Sequence, residues 1–473
     1  MTAPTVPTTQ APTTGFWASV REALRGSRQD YTEGPIGRAI LLLAVPMVLE
    51  MMMESLFAVV DVFFVARLGA NAVATVALTE SMLTMVYTVA MGLSIGVTAL
   101  VARRIGEKNP ERAARTAVQA IVVGILVAAM LGIPGALFAP DLLRLMGASP
   151  EVVATGSRFT RIMLGGNGVI VLLFLINAIF RGAGDAAIAM RVLWLANAIN
   201  IILDPCLILG LGPFPALGVT GAAVATIIGR GTGVLFQLWC LARKSERVAV
   251  TRRHLRLEPA VMLQLVRLSG TGTLQVLIGM ASWIGLIRIL AGFGAVALAG
   301  YAIAIRVILF ALLPAWGLSN AAATMVGQGL GAGKPERAER AVWLAGAYNL
   351  VFLGGVGVLF VALARPIVEA FSADPLVARH AVDGLRFISL GFPLYAYGMV
   401  LTQSFNGAGD TWTPTFINLG CFWAWELPLA WTLAGPAGLG PRGIFIAITV
   451  AFSTLAVVSA ILFRRGRWKQ RTV

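Results

Sequence analysis

Long apolar runs, each broken by a short polar or Gly/Pro-containing stretch, recur along the whole chain. Twelve are long enough to cross a bilayer, which takes roughly 20 apolar residues each. They cover about 37–66, 72–102, 116–138, 158–180, 186–210, 217–243, 262–292, 295–329, 341–364, 383–406, 413–434 and 441–463. In hydrocarbon the backbone satisfies its own hydrogen bonds only as helix or closed barrel, and these runs are too long for barrel strands. The pattern predicts an all-α polytopic membrane protein with twelve transmembrane helices. Composition agrees, with 58% hydrophobic and 12% charged residues and a mean hydropathy of +0.83, outside the soluble range.

The pattern also repeats. Residues 39–240 and 264–465 read as two copies of one ancestral half at a constant offset of 225 positions. Pro110-Glu111-Arg112-Ala113 recurs as Pro335-Glu336-Arg337-Ala338, and Gly182-Ala183-Gly184-Asp185 as Gly407-Ala408-Gly409-Asp410. Gly92-Leu93-Ser94 recurs as Gly317-Leu318-Ser319, and Gly218 as Gly443. The chain therefore divides into a tail (1–36), a first lobe (37–243), a linker (244–261), a second lobe (262–463) and a basic tail (464–473). With an even number of helices per half, the copies are parallel repeats about an axis along the membrane normal. Two pseudo-symmetric six-helix bundles with a substrate path between them are the signature of a secondary transporter.

A net charge of +15 raises the question of nucleic acid, and the placement of the charge answers it. Of 37 Lys and Arg, 26 fall on one set of alternating connecting segments and only eight on the other. That asymmetry is the positive-inside rule; it puts both termini and the central linker in the cytoplasm and argues against nucleic-acid binding. Integration into the cytoplasmic (inner) membrane of a prokaryote is expected, as a monomer in contact with membrane lipid. Residues 1–15 are Thr/Pro-rich and read as disordered. Residues 16–28 read as an amphipathic helix on the membrane surface, with Phe16, Trp17, Val20 and Leu24 opposite arginines. No cleavable signal precedes the first span, which would itself direct insertion. The basic segment 243–258 reads as a solvated cytoplasmic strap. Cys206, Cys240 and Cys421 form no metal or disulfide pattern, and no cofactor is expected beyond a coupling ion.

Carboxylates inside the spans carry the candidate chemistry, because a charge there is costly and by default functional. The first span holds Glu50, Glu54 and Asp61, which at about 100° per residue fall within an arc of roughly 40°. The second span adds Glu80, the fourth Asn177, and the fifth Asn200 and Asp204 one turn apart, followed by Pro205. Close carboxylates in a low-dielectric cavity cannot all be ionised together, so the cluster is a natural proton carrier; its oxygens would equally hold sodium. The repeat supplies an internal control. Glu50, Glu54, Asp61, Glu80 and Asp204 align with Gln275, Gly279, Leu286, Ile305 and Leu429. The second half keeps the turn motifs without the acids, so coupling is expected in the first lobe. The main buried acid of the second half is Glu426, with Arg306 of the eighth span as a candidate partner.

Substrate class follows from the same spans. Met47, Met51, Met52, Met53, Met82, Met85 and Met91 suit an adaptable surface, and Phe57, Tyr87, Trp194, Trp283 and Trp316 offer faces for lipophilic cations. Beside the acids Glu50 and Glu54, the set Met53, Phe57, Tyr87, Trp283 and Trp316 predicts small amphiphilic cations as substrates.

These residues resemble the multidrug and toxic compound extrusion (MATE) family over nearly the whole chain beyond residue 36. The resemblance rests on Pro46…Asp61-Val62-Phe63-Phe64, the Gly-x-x-x-Pro-Glu-Arg-Ala turns at Gly106 and Gly331, Arg181-Gly182-Ala183-Gly184-Asp185, and Asn200-Ile201-Ile202-Leu203-Asp204-Pro205. It implies two six-helix bundles forming a V and antiport of drugs against protons or sodium. It also implies that Asp61, Asn177, Asn200 and Asp204 match the polar cluster of the DinF-like branch, a possible sodium site, where protonation of the first-span aspartate bends that helix. The seventh span (Thr271 to Phe293) has no acid, unlike the NorM-like branch. Two departures stand out: Glu50 and Glu54 replace the amides usual in relatives, and Thr271 stands where the repeat would place a second Pro46. Two rivals are a flippase for polyprenyl- or lipid-linked substrates, which would call for a basic cavity, and a membrane enzyme. The enzyme reading fails for want of a His or Cys constellation, since His254 and His380 fall in predicted loops.

Overall fold

The structure, a computed structural model, describes residues 15–243 and 247–472, the side chains of 58–63 and 66 excepted; the disordered-tail reading of residues 1–14 lies outside the described residues. The predicted spans are all present as helix. α1 is Ile36–Ala66, α2 Ala70–Gly106, α3 Pro110–Leu137, α5 Ala186–Leu209 and α6 Val219–Arg243. α7 is Pro259–Ala291, α8 Ala295–Gly331, α9 Pro335–Glu369 and α12 Pro441–Arg464. Three spans are interrupted. α4 runs as Pro150–Gly165 and Asn167–Ala183, and α10 as Pro375–Leu390 and Phe392–Gly407 with a 60° bend between them. α11 runs as Trp412–Asn418, a π-helical stretch Leu419–Glu426, and Leu427–Ala434. α10 starts eight residues before the sequence pattern placed it, so His380 sits in a helix rather than a loop. The N-terminal helix forms over Phe16–Arg25, with Phe16 and Trp17 exposed.

The repeated motifs are helix punctuation. In Pro-Glu-Arg-Ala the proline occupies the first turn, where its missing N–H costs nothing, and the glutamate meets the positive end of the helix dipole. Asn109 completes the α3 start by accepting the Arg112 N–H at 3.0 Å. In Gly-Ala-Gly-Asp the second glycine stops the helix at positive φ, 87° at Gly184 and 81° at Gly409. The first lets two helices touch: a Cβ on Gly407 would lie 2.2 Å from the Ala323 carbonyl oxygen.

The lobes meet where α1 lies against α8 and α2 against α7, and the repeat glycines make that contact possible. A Cβ on Gly92 would lie 2.5 Å from the Thr273 nitrogen, and one on its repeat mate Gly317 would lie 2.6 Å from the Met47 oxygen. Further along, Cβ atoms on Gly106 and Gly331 would collide with the Gln328 and Arg103 oxygens. Ala39, Ile40, Leu43 and Met47 of α1 are accordingly buried with Leu318, Met325 and Phe405 of the second half. These contacts lie at the ends of the helices nearest both chain termini. The same face is strapped by residues Ser27–Gly34. Arg247 donates to the Ser27 and Gln29 carbonyls at 3.0 and 2.6 Å, Tyr31 donates to Gly184, and Arg337 donates to the Tyr31, Glu33 and Gly34 carbonyls. The linker is solvated only in part: Val248 and His254 are buried and Arg247 lies over the Tyr31 ring, while residues 251–253 and 255–257 are exposed. Residues 244–246 of that strap lie outside the described residues.

Candidate functional site

α5 and α6 pack closely, because Gly229 lets the Ala196 carbonyl and Asn200 approach; a Cβ there would lie 2.6 Å from that oxygen. α1 crosses in front of both, pinned by Trp194 of α5, whose indole N–H donates to the Leu49 carbonyl at 3.2 Å. That leaves one polar face of each helix turned inward, and the residues on those faces form three rungs.

The first rung is nearest the closed face. Glu50 is 1% exposed. Its Oε1 accepts from Arg181 Nη1 at 2.9 Å and from the Asn177 amide at 3.0 Å. Gln237 of α6 donates in turn to Asn177 Oδ1 at 2.7 Å. One turn on along α1, the second rung joins Glu54 to Arg230 Nη2 at 3.2 Å and to the Asn197 amide at 3.4 Å. The Arg230 guanidinium also lies 5.4 Å from the Phe57 ring centroid and 5.8 Å from that of Tyr87. In the third rung Asn200 bridges α5 and α6. Its amide nitrogen donates to Asp204 Oδ2 at 2.8 Å, while its oxygen accepts from the Thr226 hydroxyl at 3.1 Å and the Thr226 N–H at 3.0 Å. That orientation is required because the Thr226 backbone N–H can only donate and so must face the Asn200 oxygen. Asp204 is fully buried within α5.

The rungs follow the helices in register. Gln237, Arg230 and Thr226 descend α6 as Asn177/Arg181, Asn197 and Asn200/Asp204 descend α4 and α5. Asp61, the remaining carboxylate of the α1 stripe, has its side chain outside the described residues.

Two sequence expectations change here. Glu50 and Glu54 are not bare acids lining an anionic cavity; each faces a buried arginine. Burial explains the pairing, since a lone charge in this environment costs several kcal/mol. Glu426 does not pair with Arg306 either. Glu426 is 1% exposed and points into the second lobe within electrostatic reach of Tyr301 and Tyr395, whereas Arg306 lies on an exposed face. Sequence reasoning passed over Arg230, Thr226 and Gln237, although they share one arc of α6 by the same 100° rule that exposed the α1 stripe. Among the substrate candidates, Phe57 and Tyr87 join the second rung. Met53, Trp283 and Trp316 make no hydrogen bond or ring contact among the described residues, and Met47 is core. Glu80 is half-buried on α2.

The two-lobed layout has a counterpart among known proteins. The MatE family profile matches residues 46–206 and 270–432, one match in each half and together well over half of the chain. The chain belongs to the MatE family. It is therefore a membrane transporter and not an enzyme. The Bacillus subtilis protein named Probable multidrug resistance protein YoeA is 25% identical, covering 94% of this chain and 97% of that protein. A Shewanella oneidensis FAD transporter is 27% identical, covering 93% and 96%. A solved MATE structure in complex with MaL6 superposes with a TM-score of 0.87 at 25% identity, covering 96% of this chain and 99% of that one.

Proposed function

We propose that this MatE transporter is a multidrug efflux antiporter, exporting small amphiphilic cations in exchange for protons or sodium by alternating access. The single observation carrying this reading is the three-rung ladder, which lines buried carboxylates along one lobe with donors that can be exchanged. Glu50, Glu54 and Asp204, together with Asp61 by sequence, outnumber Arg181 and Arg230, so the ladder keeps an anionic balance despite its internal pairs. Arg230 on Glu54, Phe57 and Tyr87 occupies the environment a lipophilic cation needs, a carboxylate beside aromatic faces. A substrate cation takes that place when Arg230 swings away, and an arriving ion neutralises the acids and weakens the hold on the substrate.

A ligand shifts a conformational equilibrium only by its differential affinity for the two states. A carboxylate that changes charge within a buried ladder supplies such a difference. With both termini cytoplasmic, as the Lys/Arg asymmetry supports, closure at the terminus-bearing face corresponds to a state open to the outside. Ions would enter there, reach Asp61, Asp204 and Asn200 first, then Asn177 and the paired glutamates.

Gradient-driven efflux of a cationic dye from proteoliposomes tests this, with proton and sodium gradients imposed separately on wild type and Asp61→Asn. Efflux that follows one ion and disappears in the variant is the expected result. Dye efflux indifferent to both gradients, or undiminished in Asp61→Asn, would overturn it.

A further inference from the structure

A groove of about 530 Å³ opens on the flank of the second lobe between α11 and α12, away from the ladder. Ile417, Gly420, Cys421 and Trp425 of α11 form one wall, and Val458 and Leu462 of α12 the other. Much of the α11 wall is π-helical, over Leu419–Glu426. The widened turn presents Gly420 to the groove, and a Cβ added there would meet no atom within 4 Å.

The mouth has the opposite character. Arg465 and Arg467 line it, just beyond the end of α12, together with Asp410, whose carboxylate is held by Arg471 at 3.0 Å. The backbone that carries them is fixed, because the Trp468 indole stacks on Phe463 at 4.5 Å and donates to the Phe463 carbonyl at 2.9 Å. The neighbouring cations are committed elsewhere. Lys469 pairs with Glu336 and Glu339, Arg471 with Asp410, and Arg464 lies over the Trp343 ring. Among the described residues Arg465 and Arg467 have no carboxylate within ion-pair distance, and both are exposed.

We infer that this groove is a binding site for one anionic glycerophospholipid, its phosphate held by Arg465 and Arg467 and one acyl chain laid along the π-helical face of α11. Charge complementarity selects the occupant. Two uncommitted guanidiniums stand where a transmembrane helix leaves the membrane, the level of the headgroup phosphates, above an apolar slot continuous with the acyl region. A zwitterionic lipid would fill the slot equally well but gain less at the mouth.

Native mass spectrometry of the full-length, detergent-purified protein tests the site, using phosphatidylglycerol and phosphatidylcholine of identical acyl chains. Wild type should retain phosphatidylglycerol preferentially. An arginine near the headgroup level contributes roughly fivefold, so R465Q/R467Q should weaken phosphatidylglycerol retention by about thirtyfold and erase the preference. Gly420→Leu, which fills the slot and leaves both arginines in place, should also displace the lipid while the protein still elutes as wild type in size exclusion. Inorganic phosphate alone should not compete. Equal retention of the two lipids by wild type, unchanged retention in both variants, or displacement by inorganic phosphate would each overturn the assignment.

Discussion

Replacing Gly92 by alanine adds one methyl group where the lobes meet, and only in the state in which they meet there. The new Cβ would lie 2.5 Å from the Thr273 nitrogen and 2.6 Å from its Cα, both backbone atoms that cannot rotate away. Restoring an ordinary contact of about 3.4 Å requires α2 and α7 to part by roughly 0.9 Å at this point. Overpacking of this size costs about 1–3 kcal/mol. Because the opposite state separates these helices, the whole cost falls on one side of the equilibrium, shifting it about 5- to 150-fold. The assay is maleimide labelling of a single cysteine at Ser269, which is 3% exposed on the α7 side of the interface, with Cys206, Cys240 and Cys421 replaced by alanine. Gly92→Ala should speed labelling by that factor, and its repeat mate Gly317→Ala should do the same. Gly355→Ala, where a Cβ meets nothing within 4 Å, serves as the control for helix propensity. Labelling of the Gly92 variant at the rate of the Gly355 variant would refute the reasoning.

Four other outcomes follow. Glu50→Gln and Arg181→Gln should each destabilise the detergent-solubilised protein by about 3–5 kcal/mol, since each leaves a buried partner alone; the double variant should recover part of the loss in a double-mutant cycle read by thermal unfolding. Arg230→Gln should tighten binding of a cationic dye roughly tenfold, because it vacates Glu54 and the faces of Phe57 and Tyr87; equilibrium fluorescence titration measures it, and weaker binding would contradict the placeholder role. Arg247→Ala removes the donor to the Ser27 and Gln29 carbonyls, so residues 27–34 should exchange amide hydrogens faster by mass spectrometry. The Glu22 carboxyl is held below its usual value of 4.5 by the Ser27 hydroxyl, with Arg38 adding to the effect; a depressed carboxyl adds stability above about pH 4.5 and loses it as pH falls through the lowered value, so the N-terminal helix should undock in acid, and Glu22→Gln should undock it at neutral pH.

The sequence carried the scaffold further than the site. Hydropathy and the offset of 225 positions located the spans, and the repeated glycines and prolines already marked the turns and contacts that the structure assigns to them. Hydropathy could not show the break at Gly166, the bend between Leu390 and Phe392, or the π-turns of α11, because a shifted backbone hydrogen bond leaves the apolar pattern intact. The arc of Glu50, Glu54 and Asp61 was legible because all three lie on one helix. Their partners were not: Arg181 and Arg230 stand 131 and 176 positions from the glutamates they meet, and only the packing of α1 across α4, α5 and α6 brings them together. The Glu426–Arg306 expectation failed for a related reason, since the two lie on different helices and only the packing of the second lobe decides which faces meet.

The central claim is that ion and substrate compete for the same ladder. Calorimetric titration of a cationic dye into purified protein tests it most directly, run in two buffers of different ionisation enthalpy, with and without sodium. The account predicts that binding releases a proton or is weakened by sodium, and that Asp61→Asn reduces that linkage while the dye still binds. Binding that releases no proton and ignores sodium in the wild type would contradict it.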